Sequence, residues 1–177
     1  MKKKLLWIML LIVILTSTSC SNGDTNMKIH RNSDEEIADE TFSEIISAIR
    51  LKDGKKIEDM FSATIKGEDT LSQSALEFVN YIQGDIISFS SALESGLVTD
   101  YKIENGKNSK EIQSSFCIIT TQKTYYIAIK ECIKDDFDDN NIGIMSIYII
   151  ESNNWTKDYV YRGDEKWTHG INIVESS

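Results

Sequence analysis

The side chains equipped for chemistry are few, and most fall in the last third of the chain. Glu131 stands between Ile129 and Ile133 in a run of β-branched and aromatic residues, where strand alternation turns its carboxylate to the same side as those isoleucines. A carboxyl group in such surroundings must be paired, neutralised or seated in a pocket, unless it lies at an edge or pocket mouth and reaches water. In a pocket it is a candidate general base, with Tyr125 or Tyr148 as the hydroxyl that donates to a developing oxyanion. A second concentration is the tail WTKDYVYRGDEKWTHGINI, residues 155–173, which sets Trp155, Tyr159, Tyr161 and Trp167 around Arg162, Asp164 and His169. Aromatic rings with one guanidinium and one imidazole can line a small-molecule pocket; the same rings can equally form a flap packed over a sheet. The candidate ligand-binding set is therefore Tyr125, Glu131, Tyr148, Trp155, Arg162, Trp167 and His169, and no residue is assigned as catalytic.

Other chemistries find no pattern. In DDFDDNNIG, Asp136, Asp138 and Asn140 occupy the first ligand positions of a calcium loop, but Asn141 stands where glycine is required and Ile147 where the terminal acid belongs. A solvated hairpin loop is the reading that remains. His30 and His169 are far apart and neither neighbours a cysteine, so zinc-ligand spacing is absent and no thiol has a histidine to activate it. There is no glycine-rich phosphate loop, and no motif calls for a cofactor or a metal.

The elements that must position these residues change period once along the chain. Ser33 and Glu36 form a capping box ahead of Ala38, Phe42, Ile45, Ile46 and Ile49, a helical stripe. Asp53-Gly54 breaks that helix and opens a short second one through Phe61. A third is expected from about Glu68 to Gly84, with Leu71, Ala75, Phe78, Val79 and Ile82 on one stripe and Gly84 as its left-handed stop. From Asp85 the period is two: Ile86 to Leu93 and Leu97 to Ile103 read as strands, followed by a turn over 105–110. The stretch from Glu111 to Ser152 then reads as three consecutive strands with reversals at 121–124 and 135–141.

A register can be tested on those strands. Centring the first hairpin between Gln122 and Lys123 pairs Ile118 with Ile127 and Phe116 with Ile129; centring the second between Asp138 and Asp139 pairs Ile133 with Ile144 and Ile129 with Tyr148. One face then carries Phe116, Ile118, Tyr125, Ile127, Ile129, Glu131, Ile133, Ile144, Tyr148 and Ile150, and is expected against the helices. The opposite face, with Cys117, Ile119, Ala128, Lys130, Cys132, Met145, Ile147 and Ile149, is too apolar for water and calls for a cover, either the C-terminal tail or a second copy of the domain. Lys130 and Glu131 fall on opposite faces and are not expected to pair. Cys117, opposite Ala128, lies four residues from Cys132, about 13 Å, too far for a disulfide, so two free buried thiols are expected.

The 177 residues, with 41% apolar content, suffice for one core. The net charge of -9, or -12 once Lys2, Lys3 and Lys4 are removed, argues against nucleic acid or anionic headgroups as direct partners. Met1 to Lys4 is a basic n-region, residues 5–15 an apolar stretch too short to span a bilayer, and residues 16–20 a small-residue cleavage region ending in Cys20. Ser19-Cys20 resembles the lipobox of bacterial lipoproteins, with Ser17 where leucine is usual. That resemblance implies a diacylglyceryl group with palmitate-class chains on the Cys20 sulfur, and a lipid anchor at the extracytoplasmic face of the cell membrane. Residues 1–19 are then a signal peptide, 20–33 a polar tether containing His30, and 34–177 one α+β domain.

Three N-terminal helices packed on a curved antiparallel sheet resemble the nuclear transport factor 2-like (cystatin-like) cone. More narrowly, ADETFSEIISAIRLKDGKKIEDMFS, FVNYIQGDIISF and KDDFDDNNIGIMSIYII resemble an uncharacterised family of lipoproteins from clostridia and their relatives, over roughly Glu35 to Ile173. The resemblance implies fold and address and supplies no catalytic residue. Two functions are weighed, the first favoured because the central strands offer one acid and no histidine, with a structural spacer in a cell-envelope assembly as a third reading. One is a non-enzymatic module binding a small ligand or protein partner, with a homodimer through the sheet as a further expectation. The other is an isomerase- or dehydratase-type pocket enzyme using Glu131 as base. An acid and a donor converging in an enclosed cavity would favour the enzyme.

Overall fold

Ser33 opens the first helix as its capping box requires: its hydroxyl accepts from the Glu36 amide at 3.2 Å, and its own amide donates to the Glu36 carboxylate at 2.8 Å. This helix, α1 (Asp34–Leu51), buries Ala38, Phe42, Ile45, Ile46, Ala48 and Ile49 along the expected stripe. Asp53 caps α2 (Gly54–Met60) by accepting from the Lys56 amide at 2.9 Å. A Cβ on Gly54 would lie 2.9 Å from the Leu76 backbone, so the glycine is needed for close helix approach as well as for the break. The computed structural model describes residues 33–91, 97–155 and 160–175. The expected signal peptide, Cys20 and His30, and Tyr159 of the tail, lie outside the described residues.

Among the described residues four helices precede the strands, one more than expected. The extra one is a single turn, α3 (Ala63–Lys66), held by the Ser62 hydroxyl accepting from the Ile65 amide; one turn offers too little periodicity to read from sequence. The last, α4 (Leu71–Tyr81), is shorter at both ends than the expected 68–84. Its final carbonyls are capped from afar: the Lys52 ammonium donates to the carbonyls of Val79 and Ile82, so the helix ends ahead of Gly84. Among the described residues no helix is long and apolar enough to cross a membrane.

Six strands follow: β1 (Ile86–Ser91), β2 (Val98–Glu104), β3 (Lys107–Thr120), β4 (Thr124–Asp135), β5 (Gly143–Glu151) and β6 (Gly170–Val174). They lie in the order β1-β3-β4-β5-β6, with β2 also paired to β3. The sheet is α+β and mixed rather than wholly antiparallel as expected, because β6 runs parallel to β5. A parallel neighbour needs a crossover, and residues between Glu151 and Gly170 supply it.

Both hairpin registers differ from the expected ones. Phe116 pairs with Ile127 and Ile118 with Tyr125, two residues from expectation, because Thr120 closes the turn against Lys123. A shift of two keeps every side chain on its face. In the second hairpin Glu131 opposes Ile144 while Lys130 opposes Ser146, so Met145 is an extra residue, a β-bulge, and Ile129 meets Ile147 instead of Tyr148. A shift of one exchanges faces. Ile147 and Ile149 therefore join the core with Phe42, Phe116, Ile127 and Ile129, whereas Tyr148 and Ile150 turn to the opposite side with Ala128 and Tyr161. Phe42 stacks on Phe116 with ring centroids 3.8 Å apart at the centre of the helix-sheet interface.

Cys117 opposes Tyr126 and Cys132 opposes Glu111, which places the thiols about 20 Å apart; both are free, though Cys117 is only half-buried where a buried thiol was expected. Burial pushes both thiols above their ordinary range. Lys130 and Glu131 point to opposite faces as expected, and Lys130 pairs at 2.8 Å with Glu111.

Candidate functional sites on the two faces of the sheet

The seven candidate residues divide across the sheet. On the helix side, Glu131 is held between Ile112 and Ile144 on neighbouring strands and is 6% exposed. One carboxylate oxygen accepts from the Thr41 hydroxyl of α1 at 2.9 Å, and the other has no partner. Burial pushes the carboxyl up from 4.5 to about 7, against the hydrogen bond from Thr41. Two residues along β3 from Ile112, Ser114 occupies the same face, 2% exposed, and its hydroxyl is also without a partner. Ser114 forms part of a cavity of about 230 Å³ between α1 and β3, whose wall includes Glu35, Ala38, Asp39, Leu97 and Phe116. Glu131 itself is not in that wall.

Tyr125 shares the helix side with Glu131 but stands six residues away on β4, on the order of 20 Å. Its hydroxyl accepts from the Gln83 amide at 3.0 Å and donates toward the Tyr81 carbonyl, locking the end of α4 to the sheet. Tyr148 is on the other face altogether. The acid and either phenol thus do not converge, and the Glu131-tyrosine arrangement that an isomerase would use is not assembled.

On the outer face the tail is pinned down by groups embedded in the strands. The Ser115 hydroxyl donates to the Tyr161 carbonyl at 2.6 Å and Ser146 to that of Trp167 at 3.1 Å. Asp164 gathers the intervening turn, accepting from the amides of Lys166 (2.9 Å) and Trp167 (2.8 Å) and from the Thr168 hydroxyl (2.9 Å). Burial alone would raise the Asp164 carboxyl, but the Tyr148 and Thr168 hydroxyls and these amides hold it below the usual carboxylate range. Trp167, with φ 58°, is kept in the left-handed region by the same turn, and its ring meets Tyr148 edge-on at 5.9 Å. Gly163 lies flat against the Tyr148 ring: a Cβ there would come 2.7 Å from a ring carbon, and its φ of 63° already favours glycine.

The result is both alternatives at once, a flap over the sheet and a recess within it. A cleft of about 340 Å³ opens between Tyr148, Ile150, Asn154, Trp155, Tyr161 and Asp164. Trp155 meets Tyr161 edge-to-face at 4.9 Å. Tyr161 is 3% exposed, its hydroxyl has no partner, and burial raises it well above the phenol range. Of the candidate set, Tyr148 and Trp155 enter the cleft and Trp167 backs it through Tyr148, whereas half-buried Arg162 and exposed His169 stand outside its wall. The residues that sequence reasoning missed are Ser114, Ser115, Ser146 and Thr41. The signal available was a serine in mid-strand among isoleucines, which in a covered sheet must be satisfied by something.

Among the described residues, no group of three or more histidine, cysteine, aspartate or glutamate side chains could hold a metal. In the 135–141 loop, Asp135 is occupied by the amides of Phe137 and Asp138 and by the Asn141 side chain, as a solvated hairpin loop requires. The family model described as "Domain of unknown function (DUF5104)" matches residues 44–152, which takes in α1 from Glu44 onward, the other helices and the sheet through β5. No curated protein matches the sequence.

Proposed function

The chain belongs to that family of domains of unknown function, and from this premise we propose that it is a non-enzymatic binding module which holds a small, mainly apolar or aromatic molecule in the cleft beneath Trp155. The observation that carries the reading is the recess itself: an aromatic-walled cleft of about 340 Å³ kept open within a tail that is otherwise fastened to the sheet at Ser115 and Ser146. The separation of Glu131 from Tyr148 by the sheet, and from Tyr125 along β4, supports binding over general-base catalysis.

In this reading the domain is carried as a bacterial surface lipoprotein. Met1 to Ser19 is the signal peptide, Cys20 bears the lipid, and residues 20–33 tether the module outside the cytoplasmic membrane. The helices-first order over a bulged sheet supports a cone of the nuclear transport factor 2-like kind. The tail already covers Ala128, Tyr148 and Ile150, so a homodimer through the sheet would have to use the end near Ile119, which is 43% exposed.

The tryptophans offer a direct test. The chain has three, and in a Trp7→Phe variant only Trp155 and Trp167 remain. Titrating the isotope-labelled variant with 2-naphthol should move the Trp155 indole N–H resonance saturably and the Trp167 resonance less. Stationary indole signals, or shifts linear in probe without saturation, would remove the cleft as a binding site.

A further inference from the structure

The cavity on the helix side is independent of the aromatic cleft, lying across the sheet from it. Among the described residues its wall is built from an apolar floor, Ala38, Leu97 and Phe116, with carboxylates and hydroxyls above and no cationic side chain. Glu35 and Asp39, one helical turn apart on α1, form no ion pair among the described residues. Lys110, which reaches the start of α1, is already engaged by Asp34. At the buried end, Ser114 is 2% exposed and its hydroxyl lacks a partner; diagonally across the β3-β4 pair on the same face, outside the cavity wall, one Glu131 oxygen is likewise unmatched. Buried polar groups without partners are costly unless something arrives to satisfy them. The partial positive charge at the start of α1 does not oppose a cation here, because Asp34, Glu35 and Glu36 all lie in its first turn.

A group that answers both ends must hydrogen-bond to a hydroxyl at the inner end, carry positive charge at the mouth, and be apolar between. We propose that this cavity takes a short α,ω-diamine, one ammonium donating to the Ser114 hydroxyl, the methylenes over Phe116 and Ala38, and the second ammonium between Glu35 and Asp39. The binding is non-covalent and uses no group of the outer cleft. An anion would meet like charge at Glu35 and Asp39, and a neutral apolar molecule would leave the Ser114 hydroxyl unmatched.

The test is calorimetric titration of the full-length chain in detergent with 1,4-diaminobutane, 1-aminobutane and 1,4-butanediol as probes. The diamine should bind at one site, the monoamine about tenfold or more weaker, and the diol not measurably. Ser114→Ala, which removes a buried unsatisfied hydroxyl and should fold, and Asp39→Asn should each weaken the diamine about tenfold, whereas Glu104→Gln on the distant end of β2 should leave it unchanged. The net charge of -9 attracts any polyamine diffusely, so equal losses in Glu104→Gln and Asp39→Asn would overturn the proposal, as would diol binding comparable to diamine or no binding at all. Those outcomes leave the Trp155 resonance test untouched, and failure of that test leaves these intact.

Discussion

Replacing Glu131 by glutamine should make the protein less sensitive to alkali and, above neutrality, more stable. Burial raises the Glu131 carboxyl from 4.5 to about 7 in the folded chain. Between those values the native state keeps a proton that the unfolded chain has released. Stability therefore falls as pH rises across the window from about 4.5 to 7; the contribution is intact below it and lost above it. The full difference corresponds to about 3 kcal/mol at 1.36 kcal/mol per pH unit, a large share of a domain's stability. Glutamine keeps the shape and an oxygen for the Thr41 hydroxyl but has no charge to desolvate. Its amide brings a buried donor that costs about 1 kcal/mol, so a gain of about 1–2 kcal/mol at pH 8 and a small loss at pH 5 are expected. Asp135, Asp136 and Asp164 are held low by hydrogen bonds, so their contributions disappear only in stronger acid and do not overlap this window. Urea unfolding followed by circular dichroism at pH 5 and pH 8 measures the effect. A wild-type midpoint that does not fall between those pH values, or an E131Q midpoint that falls just as far, would refute the reasoning.

Three further outcomes follow from packing. Gly163→Ala combines a left-handed backbone with a contact of 2.7 Å to the Tyr148 ring and should cost about 1–3 kcal/mol, read as a lowered melting temperature with a displaced Trp167 emission. Phe42→Ala removes a 2% exposed ring stacked on Phe116 and should cost about 3–5 kcal/mol in urea denaturation; a loss under 1 kcal/mol would mean the stack is not central. Thiol titration of the membrane-extracted chain in denaturant should count Cys117 and Cys132 and not Cys20; a third reactive thiol would argue against lipidation, and fewer than two would indicate a disulfide. Without denaturant, half-buried Cys117 should react well before Cys132.

What was legible in the sequence was local. The capping box at Ser33 and Glu36, the stripe from Ala38 to Ile49 and the switch to a two-residue period at Asp85 each depend on near neighbours, and each appears in the fold. Glu131 was legible as an acid on the core side because two isoleucines flank it at strand spacing, whereas its burial, in place of an edge position reaching water, is seen only in the fold. Gly84 shows a local signal kept in part: it takes the expected left-handed conformation (φ 81°), but α4 ends at Tyr81, where a lysine about thirty residues upstream caps the last carbonyls.

The sequence by itself determined the three longer helices and the strands from Ile86 to Glu151, and that one of those strands carries a carboxylate among apolar side chains, but not the single turn Ala63–Lys66 or the strand Gly170–Val174. Tertiary structure alone decided that Tyr148 faces the tail and Ile147 the helices, that residues 170–174 run parallel to β5, and that Ser115 and Ser146 fasten the tail. The physical reason is parity. A strand alternates faces at every residue, so a single extra residue at Met145 reverses all that follows, and where that residue is accommodated depends on long-range packing that no short window of sequence contains.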